Sequence, residues 1–172
     1  MGVVRSVQRG ETLQVSSEQQ RERGVAELFR TRRQPMARLA YVLTHNGDLA
    51  DEIVQDAFLR LHANWAGVEQ PSAYLRRAVV NGCHSHHRHL AVVRRTPIEP
   101  ATPAPAADHA TTDDRLTAAL AELSFDHRTI LALRYFCDLD DVEIATTLGI
   151  GRATVRTRAN RALDRLRKEL VR

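Results

Sequence analysis

The sequence predicts an all-α protein made of two small helical domains joined by a flexible linker. Three observations carry that expectation. Apolar side chains recur at three- and four-residue spacing in both halves of the chain, which is the period of an amphipathic helix. A proline-rich stretch over 92–113 separates the halves. Strand-like alternation of useful length is absent from either half. The expected division is a disordered extension over 1–24, a first helical unit over 25–91, the linker over 92–113 and a second unit over 114–172.

In the first half, Met36, Leu39, Ala40 and Leu43 mark one helix, which ends at the breaker "HNGD". Ala50, Ile53, Val54, Ala57, Phe58 and Leu61 then fall at i, i+3, i+4, i+7, i+8 and i+11, a single apolar stripe. Pro71-Ser72 opens another helix, with Leu75, Ala78, Val79 and Gly82 on its inner face. Three or four helices can bury these stripes against one another as a bundle. The stretch "VVRRTPIEPATPAPAADHATTD" that follows holds four of the six prolines and almost no large apolar side chains. Such a segment cannot bury enough surface to offset its ordering entropy, so it reads as an extended linker.

The second half opens with Leu116, Ala119, Leu120 and Leu123 at i, i+3, i+4 and i+7, and Ser124 resets the chain before "DHRTILALRYF". A short helix carrying Ile144, Ala145 and Leu148 then meets a turn at Gly149-Ile150-Gly151, and a long helix follows. Ala145 is small where two helices must cross, Gly149 permits the tight turn, and Val155 fills the angle from the second helix. That is a helix-turn-helix arrangement. Advancing about 100° per residue along the long helix, Val155, Ala159, Ala162, Leu163 and Leu166 share one sector. Ala153, Arg156, Thr157, Asn160 and Arg161 lie broadly opposite, with Arg158 and Arg165 on a flank. The outward set has the residue types that read base edges in a major groove. The flanking arginines suit phosphates, which position a helix without specifying sequence. A charged helix face is ordinarily just solvated; the turn ahead of this one favours DNA.

Composition sets the bounds. The 172 residues suffice for one medium domain or two small ones, and Lys plus Arg exceed Asp plus Glu by 25 to 21. Lys168 is the sole lysine, and the isoelectric point lies near 9.7. Arginine suits phosphate because its planar fork donates two hydrogen bonds at once. Cys83 and Cys137 are far apart with no CxxC, which gives neither a disulfide scaffold nor a four-ligand zinc site. No apolar run approaches the roughly 20 residues that span a bilayer, and the N-terminus lacks a signal-peptide core. A cytoplasmic protein without membrane association or cofactor is expected. Phosphate-cradling glycine loops, nucleophile elbows and metalloprotease motifs are missing, so an enzyme has little support.

Two long stretches carry a family resemblance. "RLAYVLTHNGDLADEIVQDAFLRLHANWAGVEQPSAYLRRAVVN" resembles region 2 of the extracytoplasmic function (ECF, group IV) RNA polymerase sigma factors. "LAELSFDHRTILALRYFCDLDDVEIATTLGIGRATVRTRANRALDRLRKEL" is similar to their region 4. The match covers about residues 25 to 90 and 114 to 170, in the family's order, and its tone is actinobacterial. The resemblance implies two partners, core RNA polymerase and promoter DNA, and allows a third, an anti-sigma protein. It assigns the helix "DLADEIVQDAFLRL" to polymerase docking through Asp51, Glu52, Gln55, Asp56, Leu59 and Arg60. The loop "NWAGVEQPSA" and the next helix correspond to the part that recognises and opens the −10 element. There Trp65 and Tyr74 are the aromatics that could stack an unpaired base, although Trp65 equally fits a helix-end packing role. Asn81 matches an asparagine that reads a base edge, and Arg76 and Arg77 suit the strand backbone, with His84 and Arg88 further along the same helix. Region 4 then assigns Arg152, Ala153, Thr154, Arg156, Thr157, Arg158, Asn160, Arg161 and Arg165 to the −35 element. The other class of function is an autonomous helix-turn-helix regulator, which would ordinarily dimerise on a palindrome.

One stretch departs from that pattern. "NGCHSHHRH" places four histidines and a cysteine where the family is usually rich in arginine. Cys83 with His87, or His86 with His89, has the helical spacing of two metal ligands. Their directions differ and a third ligand is not evident, so no metal site is expected. Residues beside DNA or merely solvated are the alternatives. Beside phosphate, histidines would supply a charge that grows as pH falls, where arginines supply a fixed one.

Overall fold

Seven α-helices and one short 3-10 turn make up the described part of a computed structural model, whose backbone covers residues 4–93 and 112–171 and whose side chains cover 18–93 and 115–171. They are α1 (Val4–Thr44), α2 (Gly47–Asn64), the turn Trp65–Gly67, α3 (Pro71–Val93), α4 (Thr112–Ala121), α5 (Phe125–Tyr135), α6 (Asp141–Leu148) and α7 (Arg152–Val171). Among the described residues there is no strand. Most of the linker expected over 92–113 lies outside the described residues; its two edges belong to α3 and α4.

The extension over 1–24 differs from its expectation, because α1 runs back as one helix to Val4. From residue 18 its surface joins acid to base one turn apart, Glu18 with Arg21 and Glu27 with Arg30. Pairs at that spacing support an otherwise exposed helix by a few tenths of a kcal/mol each, roughly 0.2–0.5. Pro35 sits inside α1 and donates no backbone hydrogen bond, which leaves the Thr31 carbonyl without its usual partner. Thr31 is exposed, so water can take that place.

The breaker expected at 45–48 works as a joint. His45 turns the chain with a φ of 53°, and Asn46 caps α2 by accepting from the Leu49 amide at 3.0 Å. Ala50, Val54, Ala57, Phe58 and Leu61 are buried from α2, Leu75, Val79, Val80 and Cys83 from α3, and Met36, Leu39, Ala40 and Leu43 from α1. These three helices form the first unit. Each fully buried Leu or Val in it contributes roughly 1.5–3 kcal/mol relative to exposure.

The second unit packs α4, α5 and α6 around α7. Ser124 caps α5 by accepting from the His127 amide at 3.4 Å. Asp140 caps α6 by accepting from the Val142 and Glu143 amides at 2.8 Å each, and Glu143 accepts in return from the Asp140 amide at 3.1 Å. Gly149 ends α6 at a φ of 66°, a left-handed conformation in which any side chain would be strained. Val155 of α7 and Ile144 of α6 are both fully buried, and the two helices pack together. The two units touch: α1 and α3 lie against α4, α5 and α6, and the buried side chains of both form one continuous apolar cluster.

Candidate nucleic-acid interface

The helix-turn-helix fixes which side of α7 can meet a ligand. Val155, Ala159 and Ala162 are buried, and Leu163 and Leu166 are half-buried on the same side. Arg152, Ala153, Thr154, Arg156, Thr157, Asn160 and Arg161 are all exposed. Thr157 spends its hydroxyl on the Ala153 carbonyl at 3.0 Å, and Arg156 lies 3.6 Å from Asp141. The Asp141 carboxylate is held mainly by Arg134. The flank is less uniform. Arg165 is exposed, whereas Arg158 is half-buried and donates to Asp126 at 2.8 Å. Burial, then Arg165, with smaller help from Arg158 and Arg161 and against the opposing pull of Asp126, holds His127 below its ordinary pKa.

The face of α3 has different surroundings. Arg77 donates through Nη2 to the Thr146 carbonyl of α6 at 2.7 Å. Arg76 is half-buried, its Nε without a partner among the described residues, close enough to Cys137 to bias that thiol. Asn81 and His84 line a cavity of about 280 Å³ together with Phe125, Asp126, Leu148, Ile150 and Arg158. The His84 ring lies 5.4 Å from the Phe125 ring and the His87 ring 4.9 Å, centre to centre. Arg88 is exposed further along the helix. Of the side chains expected at a −10 element, Arg77, Asn81 and His84 lie beside the second unit while remaining exposed.

The two aromatics nearby are both half-buried. Trp65 packs against Gly24 of α1, where a Cβ would come within 2.3 Å of the indole ring. Only glycine lets α1 pass so close. Tyr74 accepts a long hydrogen bond, 3.4 Å, from the Asn64 amide. The helix-end packing role for Trp65 is thus occupied, and base stacking would require α1 to move.

The histidine run is spread around α3 rather than focused. Among the described residues no three His, Cys, Asp or Glu side chains gather as a metal-holding group. Cys83 is buried, and burial pushes its thiol up to about 12, the opposite of what a thiolate ligand needs. On α2, Asp51, Glu52, Gln55, Asp56, Leu59 and Arg60 are all exposed, with Leu59 at 63%. Asp56 pairs with Arg60 at 2.9 Å and Asp51 with Arg33 at 3.4 Å. The result is an acidic, water-facing strip with one bare leucine, suited to a protein partner.

Sequence reasoning missed the groups that join the units: His45, Phe125 and Arg128. Arg128 is 6% exposed and donates to the His45 ring from 83 positions away. No local spacing signals such a pair. A buried arginine on an otherwise apolar helix face is the one hint that could have been taken.

Comparisons with known proteins agree with this arrangement. A family model described as Sigma-70 region 2 matches residues 28–92, and one described as Sigma-70, region 4 matches 119–168. An RNA polymerase sigma-E factor of Streptomyces coelicolor is 32% identical over 154 residues, which span 84% of this chain and 85% of that one. An ECF RNA polymerase sigma factor, SigM, of Mycobacterium tuberculosis is 29% identical over 151 residues, spanning 84% and 76%. Two solved structures share the fold. The sigma factor RpoE of Bartonella quintana, in complex with the anti-sigma factor NepR, has a TM-score of 0.64 at 24% identity, covering 78% of this chain and 89% of that one. CnrH, in complex with the cytosolic domain of CnrY, has a TM-score of 0.66 at 20% identity, covering 87% and 88%. With both regions matched in order and a relative of this similarity along most of its length, the chain belongs to the ECF group of the sigma-70 family of RNA polymerase sigma factors.

Proposed function

We propose that this sigma factor binds core RNA polymerase through α2, reads the −35 element with the outward face of α7, and reads and opens the −10 element with α3 and the turn before it. The observation that carries the reading is the pairing, in one chain, of an acidic exposed strip on α2 with an arginine-rich outward face on a helix-turn-helix. Arg156, Thr157 and Asn160 are the base-reading candidates, since their side chains can pair with base edges in the major groove. Arg165 and Arg158 are the phosphate candidates, and Arg158 must first leave Asp126. The protein contributes recognition and strand separation and performs no bond chemistry of its own. It acts in the cytoplasm, where polymerase is. An anti-sigma protein is a further partner, on the pattern of the sigma factor RpoE with NepR.

Charge reversal tests the docking part. Glu52→Lys with Asp56→Lys leaves the buried stripe of α2 untouched, so helicity should be preserved. Affinity for core polymerase should fall by at least about tenfold, the equivalent of about 1.4 kcal/mol. Undiminished pull-down of core by a normally folded double variant would remove the assignment.

A further inference from the structure

A cavity of about 430 Å³ lies where α1, α3, α4 and α5 meet, and neither the promoter reading nor the polymerase reading uses it. Much of its wall is apolar, from Leu43, Leu90, Leu123 and Phe125, and its polar part includes His45, His86, Ser124 and Arg128. Among the described residues that line it there is no aspartate or glutamate. Arg128 therefore stands in this wall as a cation without an anion. It is 6% exposed, Nη1 donates to the His45 ring, and the buried Nε has no partner among the described residues. Neither neighbour supplies the missing charge. A guanidinium only donates, so the His45 Nε2 accepts from it and belongs to a neutral ring. Burial first and Arg128 second hold the pKa of that ring down at about 4. Burial likewise pushes the Cys83 thiol up to about 12, which leaves it protonated. A guanidinium taken out of water ordinarily has a negative partner to offset its lost hydration.

We propose that this cavity is a binding site for a small amphiphilic carboxylate, its head group on Arg128 and its apolar body against Leu43, Leu123 and Phe125. Three features select that chemistry. One guanidinium matches one negative charge, which suits a carboxylate better than a phosphate dianion. With Nη1 turned to His45, the edge of Nε and Nη2 is left to grip two carboxylate oxygens at once. The Ser124 oxygen accepts from the His127 amide, so its hydroxyl proton is left to donate in the same place. A bare inorganic anion would satisfy the arginine and leave the apolar wall against water, whereas a body of ring or branched-chain size fills a cavity of this volume. The inference goes beyond the sigma-factor reading and does not rest on it, because none of these side chains is assigned to polymerase or promoter.

The experiment is calorimetric titration of the full chain at neutral pH with sodium phenylacetate. Acetate supplies the head without the body, 2-phenylethanol the body without the charge, and inorganic phosphate a different anion. Phenylacetate should bind one to one with a Kd of about 1 mM or tighter, and each of the other three at least about tenfold more weakly. Arg128→Met puts an apolar side chain of similar length in place of a buried cation, a change that is often neutral or stabilising. It should keep the helicity and unfolding temperature of the wild type, weaken phenylacetate at least tenfold and leave 2-phenylethanol unchanged. Methyl NMR on the wild type locates the site without any substitution. The signals of Leu43, Leu90 and Leu123 should move with the calorimetric Kd, while those of Ile144 and Val155, outside this cavity, should stay in place. The proposal is overturned if phenylacetate does not saturate, if acetate or phosphate binds as tightly, if a folded Arg128→Met binds it equally, or if the shifts fall elsewhere.

Discussion

Helices α3 and α7 are both basic, both amphipathic and both proposed to meet promoter DNA, yet their surroundings differ. The reading face of α7 is open, with its small and polar side chains in solvent and its apolar side locked by Val155, Ala159 and Ala162. The corresponding side chains of α3 are exposed too, but Arg77 donates to a carbonyl of α6 and the His84 ring lies against Phe125. Both faces are exposed, but on α3 two of the side chains already have contacts in the second unit. The difference teaches that helical period identifies the face away from a helix's own bundle, and says nothing of what a distant element lays over it.

The comparison is broken most severely at Val155. Val155→Asp would bury a carboxylate in the angle of the helix-turn-helix and should destabilise region 4 by more than about 3 kcal/mol. Thermal unfolding should split into a lost region-4 transition and a retained one from α1–α3, with −35 binding abolished and core binding kept. Smaller changes sharpen it. Arg156→Ala should flatten preference at one promoter position, at a cost of about 1–3 kcal/mol in discrimination. Arg165→Ala should weaken all promoters alike and reduce the salt slope of binding by about one unit. Competition binding over single-base promoter variants separates the two; if both substitutions act on every sequence equally, the division of α7 into a reading face and a phosphate flank is wrong.

Much of this architecture was legible in the residues. The stripe from Ala50 to Leu61, the break at Ser124, the Gly149 turn and the sector from Val155 to Ala162 each follow from local pattern over a few residues, and each stands where that pattern put it. Composition alone did not announce that α1 would continue back through the extension, where the described side chains include the Glu18–Arg21 pair and Gly24 lies against the Trp65 ring. The contact of Gly24 with Trp65 joins positions 41 apart, and that of His45 with Arg128 joins positions 83 apart. Both depend on how finished helices pack, which no local pattern encodes. The histidine run shows the same division. Its helical placement was readable, while the partner that His84 and His87 share, Phe125, belongs to the other half of the chain.

The central claim is that this chain gives core polymerase a promoter it cannot use alone. Run-off transcription with purified core polymerase, on templates selected by the holoenzyme from genomic fragments, tests it most directly. Transcripts with a fixed start should appear only when the chain is present, and should vanish with Val155→Asp. Transcription that is indifferent to the chain, alongside tight binding of the isolated protein to palindromic DNA as a dimer, would contradict the account and favour an autonomous regulator.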